Sequence, residues 1–507
     1  MEKEYTVIVK NREDLSALES EITASSGGGP IPNRSVDIAN PRPGSRIQTH
    51  FMLTDEEAEA LRGDHRIRAV EIPPEQREDI KLVLRATQSG EFNRPTTNSN
   101  CVNWGLRRCI EKTNIYGQST TVEGNYDYAL NGAGVDIVIQ DSGIKPDHPE
   151  WEDADGNSRL VEIDWYAASG LPGTQSPNHY RDTDGHGTHV AGIAAGKTYG
   201  FAKGASIYSQ KLAGLEGAGD EGTGITFSDC FDALRLWHNN KTNDRPTVVN
   251  MSWGYYTPLV YNNTEYDIVS GNYRGTPWTY NSQTSNELWD DYGIMNKYNW
   301  TFSAQVPSVD AEIEDMIKDG IHICISAGND PYKADIPDGS DYDNYMTIQE
   351  IGVDPPVPKN IYYHRPSSPY NNRAFLVGNI DSTPVFDGAT YKDRAAHSST
   401  RGPAVNIWAP GSGIMSSYID SDGVASLGGT SMASPQVAGV CALYLESMPR
   451  LSPEELQSKI FSDSQPVVYE TSNNDTDYRT SESVLGSPNR FLYNKYGVVN
   501  PFTIQTL

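Results

Sequence analysis

Residues 429–439 read Gly-Thr-Ser-Met-Ala-Ser-Pro-Gln-Val-Ala-Gly, a glycine-rich turn that runs directly into a long apolar helix. This stretch places the hydroxyl of Ser431 in the first helical turn. The backbone N–H of such a residue has no partner inside the helix and points from the positive end of the helix dipole, where it can stabilise an anion. Because a serine at a helix start is usually only a cap, a catalytic role also requires a base and an orienting acid.

An aspartate closes a short apolar run that is typical of a buried parallel strand. Residues 135–140 read Val-Asp-Ile-Val-Ile-Gln, and Asp141-Ser142-Gly143 follows. Reactive groups in open parallel sheets collect beyond the carboxyl ends of the strands, which makes Asp141 a candidate site residue. Taken alone, Asp-Ser-Gly is more typical of a turn.

A histidine lies between glycines just before a helix of small residues. The segment reads Asp184-Gly185-His186-Gly187-Thr188-His189, and its glycines allow another backbone to approach closely. A base within hydrogen-bond reach of a hydroxyl, oriented by a buried carboxylate, is the arrangement that activates a serine nucleophile. The sequence therefore predicts that Asp141 orients His186 and that His186 activates Ser431.

These three segments closely resemble the signature segments of the subtilisin-like serine proteases, the subtilases or peptidase S8 family, in the same chain order. The resemblance extends from about residue 104 to at least residue 462, and residues 186–212 resemble the proteinase K branch. It implies a serine endopeptidase with an α/β, three-layer fold around a parallel central sheet. It also implies that His186 is the general base and that His189 is a structural neighbour.

The same resemblance implies further site residues. Residues 326–329, Ser-Ala-Gly-Asn, resemble the segment that completes the oxyanion hole, so Asn329 is expected to share the developing negative charge with the Ser431 N–H. Residues 252–254 and 215–219 resemble the two edge segments that hold an extended peptide by main-chain pairing. The expected substrate-binding residues are Ser252, Trp253, Gly254, Gly217, Gly219 and Gly328.

Gly254 and Gly328 are expected to flank the mouth of a pocket for a large apolar side chain. Both glycines are equally compatible with an ordinary role in turns.

Residues 1–72 are predicted to form a small α+β domain. Strands at 5–9, 35–38, 46–53 and 66–71 and helices at 13–22 and 55–61 give the ferredoxin-like order β-α-β-β-α-β. Thr54 followed by three acidic residues predicts the start of the second helix. The domain resembles the inhibitor I9-like prosegment of subtilases, which blocks the cleft until it is cut away. Residues 73–100 are predicted to be a linker, in which the processing bond is not placed.

Residues 101–507 are predicted to form the catalytic domain, with insertions at 255–307 and 330–373 and a tail at 465–507 that wraps the surface. Apolar runs at 246–251, 321–326, 375–377 and 404–408 alternate with helical patterns at 228–237, 309–318 and 434–445. Strands that alternate with helices predict a parallel sheet with right-handed crossovers.

Composition excludes several function classes. The 507 residues include 67 acidic and 40 basic side chains, so the net charge of −27 disfavours binding to nucleic acid or to an anionic membrane. We expect no signal peptide and no transmembrane segment, because no apolar run has the required length. Among the 5 cysteines, Cys101 and Cys109 allow at most one local bridge. The compartment is not indicated.

The chemistry requires no cofactor. Structural calcium is common in the family, and Asp381 resembles a calcium ligand of the proteinase K branch, although a solvated loop carboxylate is the other interpretation. The expected partners are an extended peptide substrate and the chain's own prosegment.

Two alternatives remain. The first is a latent or structural subtilase-fold component of a larger assembly such as a phage virion. The second is a lipase or esterase, which is weaker because the Gly-x-Ser-x-Gly motif fails at Ala433.

Overall fold

The computed structural model describes residues 2–77, 81–84, 102–117, 126–215, 224–261, 264–294, 301–353, 355, 357–420, 423–470 and 483–498. The N-terminal part forms a four-stranded antiparallel sheet with two helices. Its elements are β1 (Lys3–Val9), α1 (Arg12–Ile22), β2 (Ile38–Asn40), β3 (Gln48–Leu53), α2 (Asp55–Arg62) and β4 (Ile67–Glu71).

The strand order β2-β3-β1-β4 confirms the predicted ferredoxin-like arrangement. The predicted cap is also present, because Thr54 and Glu57 form a reciprocal capping box at the start of α2. The position of the second strand was predicted wrongly, since β2 begins at residue 38, where the predicted strand ends.

The remaining strands belong to the central sheet, to a second sheet and to short pairings. They are β5 (Lys81–Leu84), β6 (Asp127–Tyr128), β7 (Asp136–Asp141), β8 (Leu160–Val161), β9 (Ser206–Lys211), β10 (Thr247–Met251), β11 (Trp253–Pro258), β12 (Val260–Tyr261), β13 (Thr264–Tyr273), β14 (Thr276–Thr279), β15 (Thr301–Ser303), β16 (His322–Ser326), β17 (Tyr345–Glu350), β18 (Pro358–Ile361), β19 (Phe375–Ile380), β20 (Val385–Phe386), β21 (Tyr391–Lys392), β22 (Ile407–Pro410), β23 (Ile414–Ser417), β24 (Val424–Leu427) and β25 (Gly497–Val498).

The remaining helices follow the predicted alternation with the strands. They are α3 (Trp104–Arg108), α4 (Trp165–Ser169), α5 (His186–Ala195), α6 (Phe227–Asn240), α7 (Ser285–Tyr292), α8 (Pro307–Lys318), α9 (Thr430–Ser447) and α10 (Pro453–Asp463). In α8 the apolar residues Val309, Ile313 and Met316 are buried, and Gly320, with φ of +88°, follows the helix end as its pattern predicts.

Seven strands form the parallel central sheet in the order β22-β19-β16-β10-β7-β9-β8. Helix α9 packs over β10, β16, β19 and β22, and α5 packs beside α9, whereas α8 packs against β16 and α6. Every residue of β7, β10 and β16 is buried, as expected for central strands covered by helices. The chain therefore has the predicted α/β fold with a parallel central sheet.

The two insertions share one structure. Strands β12, β13 and β14 from the first insertion join β17 and β18 from the second in a separate five-stranded sheet. This sheet has an apolar core of its own, rich in aromatic residues. The core consists of Leu259, Ile268, Trp278, Leu288, Ile294, Phe302, Tyr332, Met346, Ile348, Ile361 and Tyr363.

Part of the tail is buried, so the prediction that it wraps the surface was wrong for those residues. Phe491 and Leu492 are both 0% exposed, and the Leu492 N–H donates to the Trp408 carbonyl oxygen at 2.8 Å. The tail thus completes the core beside β22. Among the described cysteines, Cys109 is a free buried thiol. Its candidate partner Cys101 lies outside the described residues.

Candidate active site

Asp141 and His186 meet at the carboxyl edge of the central sheet. Asp141 is the last residue of β7 and His186 is the first residue of α5. His186 Nδ1 lies 2.7 Å from Asp141 Oδ1, and both side chains are almost completely buried. Asp141 Oδ1 also accepts from the Ser142 N–H at 2.8 Å. The carboxylate therefore fixes Nδ1 as the protonated nitrogen and leaves Nε2 to act as an acceptor.

Two glycines make this contact possible. Gly187 follows His186, and a Cβ at Gly187 would overlap the carbonyl oxygen of Gly143. Gly143 has a φ of +115°, and a Cβ there would lie 2.8 Å from the Arg181 carbonyl oxygen. The start of α5 can approach the end of β7 because Gly187 lacks a side chain, and the loop at residues 181–182 can approach Gly143 for the same reason.

Ser431 lies in the first turn of α9, which begins next to β10. A Cβ at Gly439 of α9 would lie 2.6 Å from the Ala194 carbonyl oxygen of α5, so the two helices are in close contact. The separation in sequence from Ser431 to Gly439 equals the separation from His186 to Ala194, so this contact lies equally far from Ser431 and from His186 along their helices. Both helices start at the carboxyl edge of the central sheet, α5 at β7 and α9 at the adjacent strand β10.

Ser431 is anchored to the end of β10 through its backbone. Pro435 lies in α9 and has no N–H to donate to the Ser431 carbonyl oxygen, as the helix would otherwise require. The Ser252 hydroxyl donates to that oxygen instead, at 3.0 Å. Ser434 Oγ donates to Asn250 Oδ1 at 2.8 Å, so two contacts lock the helix start onto the sheet.

The hydroxyl of Ser431 donates to the Ser252 carbonyl oxygen at 3.2 Å. His186 Nε2 is buried and has no hydrogen-bond partner among the described residues. Catalytic hydrogen bonds commonly form fully only when a substrate is bound.

Asn329 follows the carboxyl end of the neighbouring strand β16 and contacts the residue before Ser431. Its Oδ1 accepts from the Thr430 N–H at 2.8 Å and from Thr430 Oγ1 at 3.0 Å. Thr430 Oγ1 also accepts from the Gly328 N–H at 3.1 Å. These bonds fix the planar amide beside the start of α9.

The surroundings set the charge states of the two histidines. Burial lowers the pKa of His186, but the charge and hydrogen bond of Asp141 raise it by more, so the pKa lies above its ordinary value of 6.5. Burial lowers the pKa of His189 to about 3. His189 Nε2 lies 3.1 Å from the Ile414 carbonyl oxygen and 3.0 Å from that of Ala425, so His189 has the structural position that was expected.

The strand that is expected to bind the substrate, β11, is paired with another strand on each side. Ser252 precedes β11, which carries Trp253 and Gly254, and β11 pairs antiparallel with β15 and with β5. Gly254 lies opposite residue 83 of β5 in this register. A Cβ at Gly328 would lie 2.7 Å from both the Tyr256 hydroxyl and Thr400 Oγ1. Gly217 and Gly219 lie outside the described residues.

Asp381 lies in an ion pair. Its carboxylate accepts from Arg394 at 3.0 Å and from the Thr383 N–H at 2.8 Å. Within the part of the chain that the structure describes, no group of three or more His, Cys, Asp or Glu side chains is placed to hold a metal ion. The calcium ligand therefore stays a prediction that rests on resemblance alone.

Two residues near the site were not singled out from the sequence. Thr430 anchors Asn329, and Asp182 accepts hydrogen bonds from both segments that carry Asp141 and His186. The signal for Thr430 was its place inside the Gly-Thr-Ser motif. Asp182 precedes the histidine motif by a few residues, but a single loop carboxylate gives no signal of its contacts.

Comparison with known proteins identifies the protein family to which the chain belongs. Residues 132–486 match the model of the subtilase family, peptidase S8. The chain belongs to this family and is a serine endopeptidase that binds peptide substrates. None of the described helices is long and apolar enough to cross a bilayer.

The chain is similar, at low sequence identity, to proteins that are named as serine proteases. A cuticle-degrading serine protease of Arthrobotrys oligospora is 25% identical over 395 residues, which cover 78% of this chain and 68% of the relative. An extracellular serine proteinase of a Thermus species is 25% identical over 417 residues, covering 82% and 70%. Fervidolysin from Fervidobacterium pennivorans, a keratinolytic enzyme related to subtilisin, is 16% identical with a TM-score of 0.49, covering 100% of this chain and 62% of fervidolysin.

Proposed function

We propose that the endopeptidase works through an Asp141–His186–Ser431 triad with Asn329 in the oxyanion hole. The contact between His186 Nδ1 and Asp141 Oδ1, 2.7 Å long and buried, is the observation that carries this proposal. It is supported by the position of Ser431 at the start of a helix that packs beside α5.

In this mechanism Ser431 Oγ attacks the scissile carbonyl carbon and His186 Nε2 takes the hydroxyl proton. Asp141 stabilises the resulting imidazolium and keeps the ring oriented. The tetrahedral oxyanion accepts hydrogen bonds from the Ser431 N–H and from Asn329 Nδ2. His186 then protonates the leaving amine, and water hydrolyses the acyl-enzyme by the reverse sequence of proton transfers.

Labelling with a fluorophosphonate probe tests the triad. The probe is expected to modify Ser431, and the modified peptide is identified by mass spectrometry. The variants Ser431→Ala and His186→Ala should lose both labelling and peptide hydrolysis, by about 10⁴- to 10⁶-fold in kcat. Labelling of the Ser431→Ala protein at the unchanged rate would contradict the proposal.

We further propose that the N-terminal domain is a prosegment that keeps the enzyme latent. The register of β5 on β11 supports this, because residues 81–84 occupy the edge that Trp253 and Gly254 offer to a substrate strand. An extended segment bound there excludes other peptides from the same main-chain groups.

The surface between this domain and the catalytic domain supports the same proposal. Arg42 is 7% exposed and donates to Asp232 of α6 and to Glu312 of α8, each at 2.7 Å. Glu71 accepts from the Ser308 N–H at 2.7 Å and so satisfies a donor at the start of α8. The domain thus contacts both helices through buried charges.

A time course of mass and activity tests latency. The chain of 55.8 kDa is expected to be inactive until it is cut beyond Leu84, after which activity appears. Ser431→Ala should keep the full mass. Full peptidase activity in the uncut chain would contradict latency but not the triad.

Membership of the proteinase K branch, the likeness to inhibitor I9 and any place in a larger assembly stay predictions. The family match favours an enzyme over a purely structural component.

A further inference from the structure

A second aspartate, Asp182, lies buried beside the Asp141–His186 pair and takes no part in the proposed proton transfer. It is 5% exposed. Its Oδ1 accepts from Ser142 Oγ at 3.0 Å, from the Asp184 N–H at 3.0 Å and from the Gly185 N–H at 2.9 Å. Its Oδ2 accepts from the Thr188 N–H at 2.9 Å and from Thr188 Oγ1 at 2.6 Å.

These hydrogen bonds connect the two segments that carry the acid and the base. Ser142 follows Asp141, and its Oγ also accepts from the Gly187 N–H at 2.9 Å. Gly185 and Thr188 lie on either side of His186 at the start of α5. Asp182, in the loop that leads into α5, therefore ties the start of α5 to the end of β7.

We propose that Asp182 is a positioning residue, which fixes Asp141 and His186 relative to each other and places a second negative charge near the imidazole. The inference rests on the proposed triad. A carboxylate with this many donors is held rigidly, and misplacing a catalytic group by about 1 Å can cost about 10²-fold in rate.

The charged groups around His186 act in the same direction. Asp141, Asp184 and Asp182 each favour the imidazolium and so raise the pKa of His186. The neighbouring His189 stays neutral because burial lowers its pKa to about 3.

Burial raises the pKa of Asp182, and the nearby charge of Asp141 raises it further. The hydrogen bonds that Thr188 and Gly185 donate to the carboxylate lower this pKa. The charged group on the neighbouring strand β9 is Lys211, whose Nζ donates to the Arg181 carbonyl oxygen at 2.9 Å.

The variant Asp182→Asn tests the proposal, because it keeps the size of the side chain but removes the charge and turns an N–H toward other donors. We expect kcat to fall about 10²-fold with KM changed less than about threefold. The acid limb of the kcat/KM profile should move to lower pH. The variant Ser142→Ala removes the bridge but keeps the charge, so kcat should fall while the acid limb stays.

A second measurement does not depend on activity. In full-length protein that carries Ser431→Ala, ¹³C-histidine NMR gives the titration midpoint of His186. Addition of Asp182→Asn should lower this midpoint, whereas addition of Ser142→Ala should not. A parent protein that has been cut beyond Leu84 and still lacks peptidase activity would refute the proposed function, and the NMR titration would still decide the effect of Asp182.

Two outcomes would overturn the inference. One is a kcat within threefold of the parent for Asp182→Asn. The other is an unchanged His186 midpoint in the NMR titration. If Asp182→Asn does not fold, a kcat within threefold of the parent for Ser142→Ala overturns it instead.

Discussion

Arg42 offers a quantitative test of how the N-terminal domain is held on the catalytic domain. Its guanidinium is 3% exposed and lies between Asp232 and Glu312, whose side chains are 2% and 3% exposed. Burial lowers the pKa of Arg42, but these two carboxylates raise it by more, so the group stays charged. Arg42→Ala would remove the nearest cation from both buried carboxylates and leave them only Arg235, which lies 4.0 Å from Asp232 and 3.8 Å from Glu312.

The expected loss follows from this burial. Removing one partner of a buried ion pair typically costs about 3–5 kcal/mol, because the other charge stays desolvated. That loss raises the population of the undocked domain by roughly 150- to 5,000-fold. Arg68→Ala is the matched control, because Arg68 pairs with Glu314 at 3.0 Å with side chains 41% and 29% exposed. An exposed pair contributes about 0–1 kcal/mol, which is at most about fivefold.

Limited digestion of the full-length chain measures the undocked population. The Ser431→Ala background prevents self-cleavage, and chymotrypsin is used because Arg42 itself would be a site for trypsin. When docking is fast relative to cleavage, the rate of digestion follows the open population. Arg42→Lys keeps the charge but loses the forked geometry, so its rate should be intermediate. Digestion of a folded Arg42→Ala variant within about fivefold of the parent would refute the reasoning.

Three further predictions concern the site. The acid limb of kcat/KM should lie above pH 6.5, because activity requires neutral His186 and is lost as pH falls through its raised pKa; a limb below 6.5 in a pH–rate profile would contradict this. Asn329→Ala should lower kcat by about 10²- to 10³-fold with little change in KM, and steady-state kinetics that show an unchanged kcat would exclude Asn329 from the oxyanion hole. Gly187→Ala should lower both activity and Tm, because its Cβ overlaps the Gly143 carbonyl oxygen; Gly63→Ala, whose Cβ would have its nearest neighbour at 3.4 Å, is the control, and equal melting curves would disprove the clash.

The residues of the site could be predicted because each lies in a local pattern. Asp141 ends an apolar strand, and His186 and Ser431 each begin a helix, so their placement at one sheet edge follows from the parallel topology. The prediction that Ser431 lies in the first helical turn is confirmed, because α9 begins at Thr430, although the helical pattern was assigned only from residue 434. A proline usually marks a helix boundary, but Pro435 lies inside α9. The Ser252 hydroxyl donates to the Ser431 carbonyl oxygen in place of the missing N–H.

The features that sequence reasoning missed depend on contacts between distant segments. Residues 81–84 form a short run with nothing to indicate β11 as their partner, and the strands of the two insertions pair across a long stretch of chain. Phe491 and Leu492 lie among polar residues without periodicity, so their burial beside β22 has no local signal. Asp182 was missed for the same reason.

The pairing of β15 with β11 limits how this protein can be shortened. Residues 301–303 of the first insertion form main-chain pairs with residues 256–258, immediately beyond the groups that would receive a substrate. A deletion of only the part of the first insertion that follows β11, including β15, would leave that stretch of β11 without its neighbour and free to fray. We expect such a truncated enzyme to lose long peptide substrates first, while small esters, which do not extend along β11, continue to be hydrolysed.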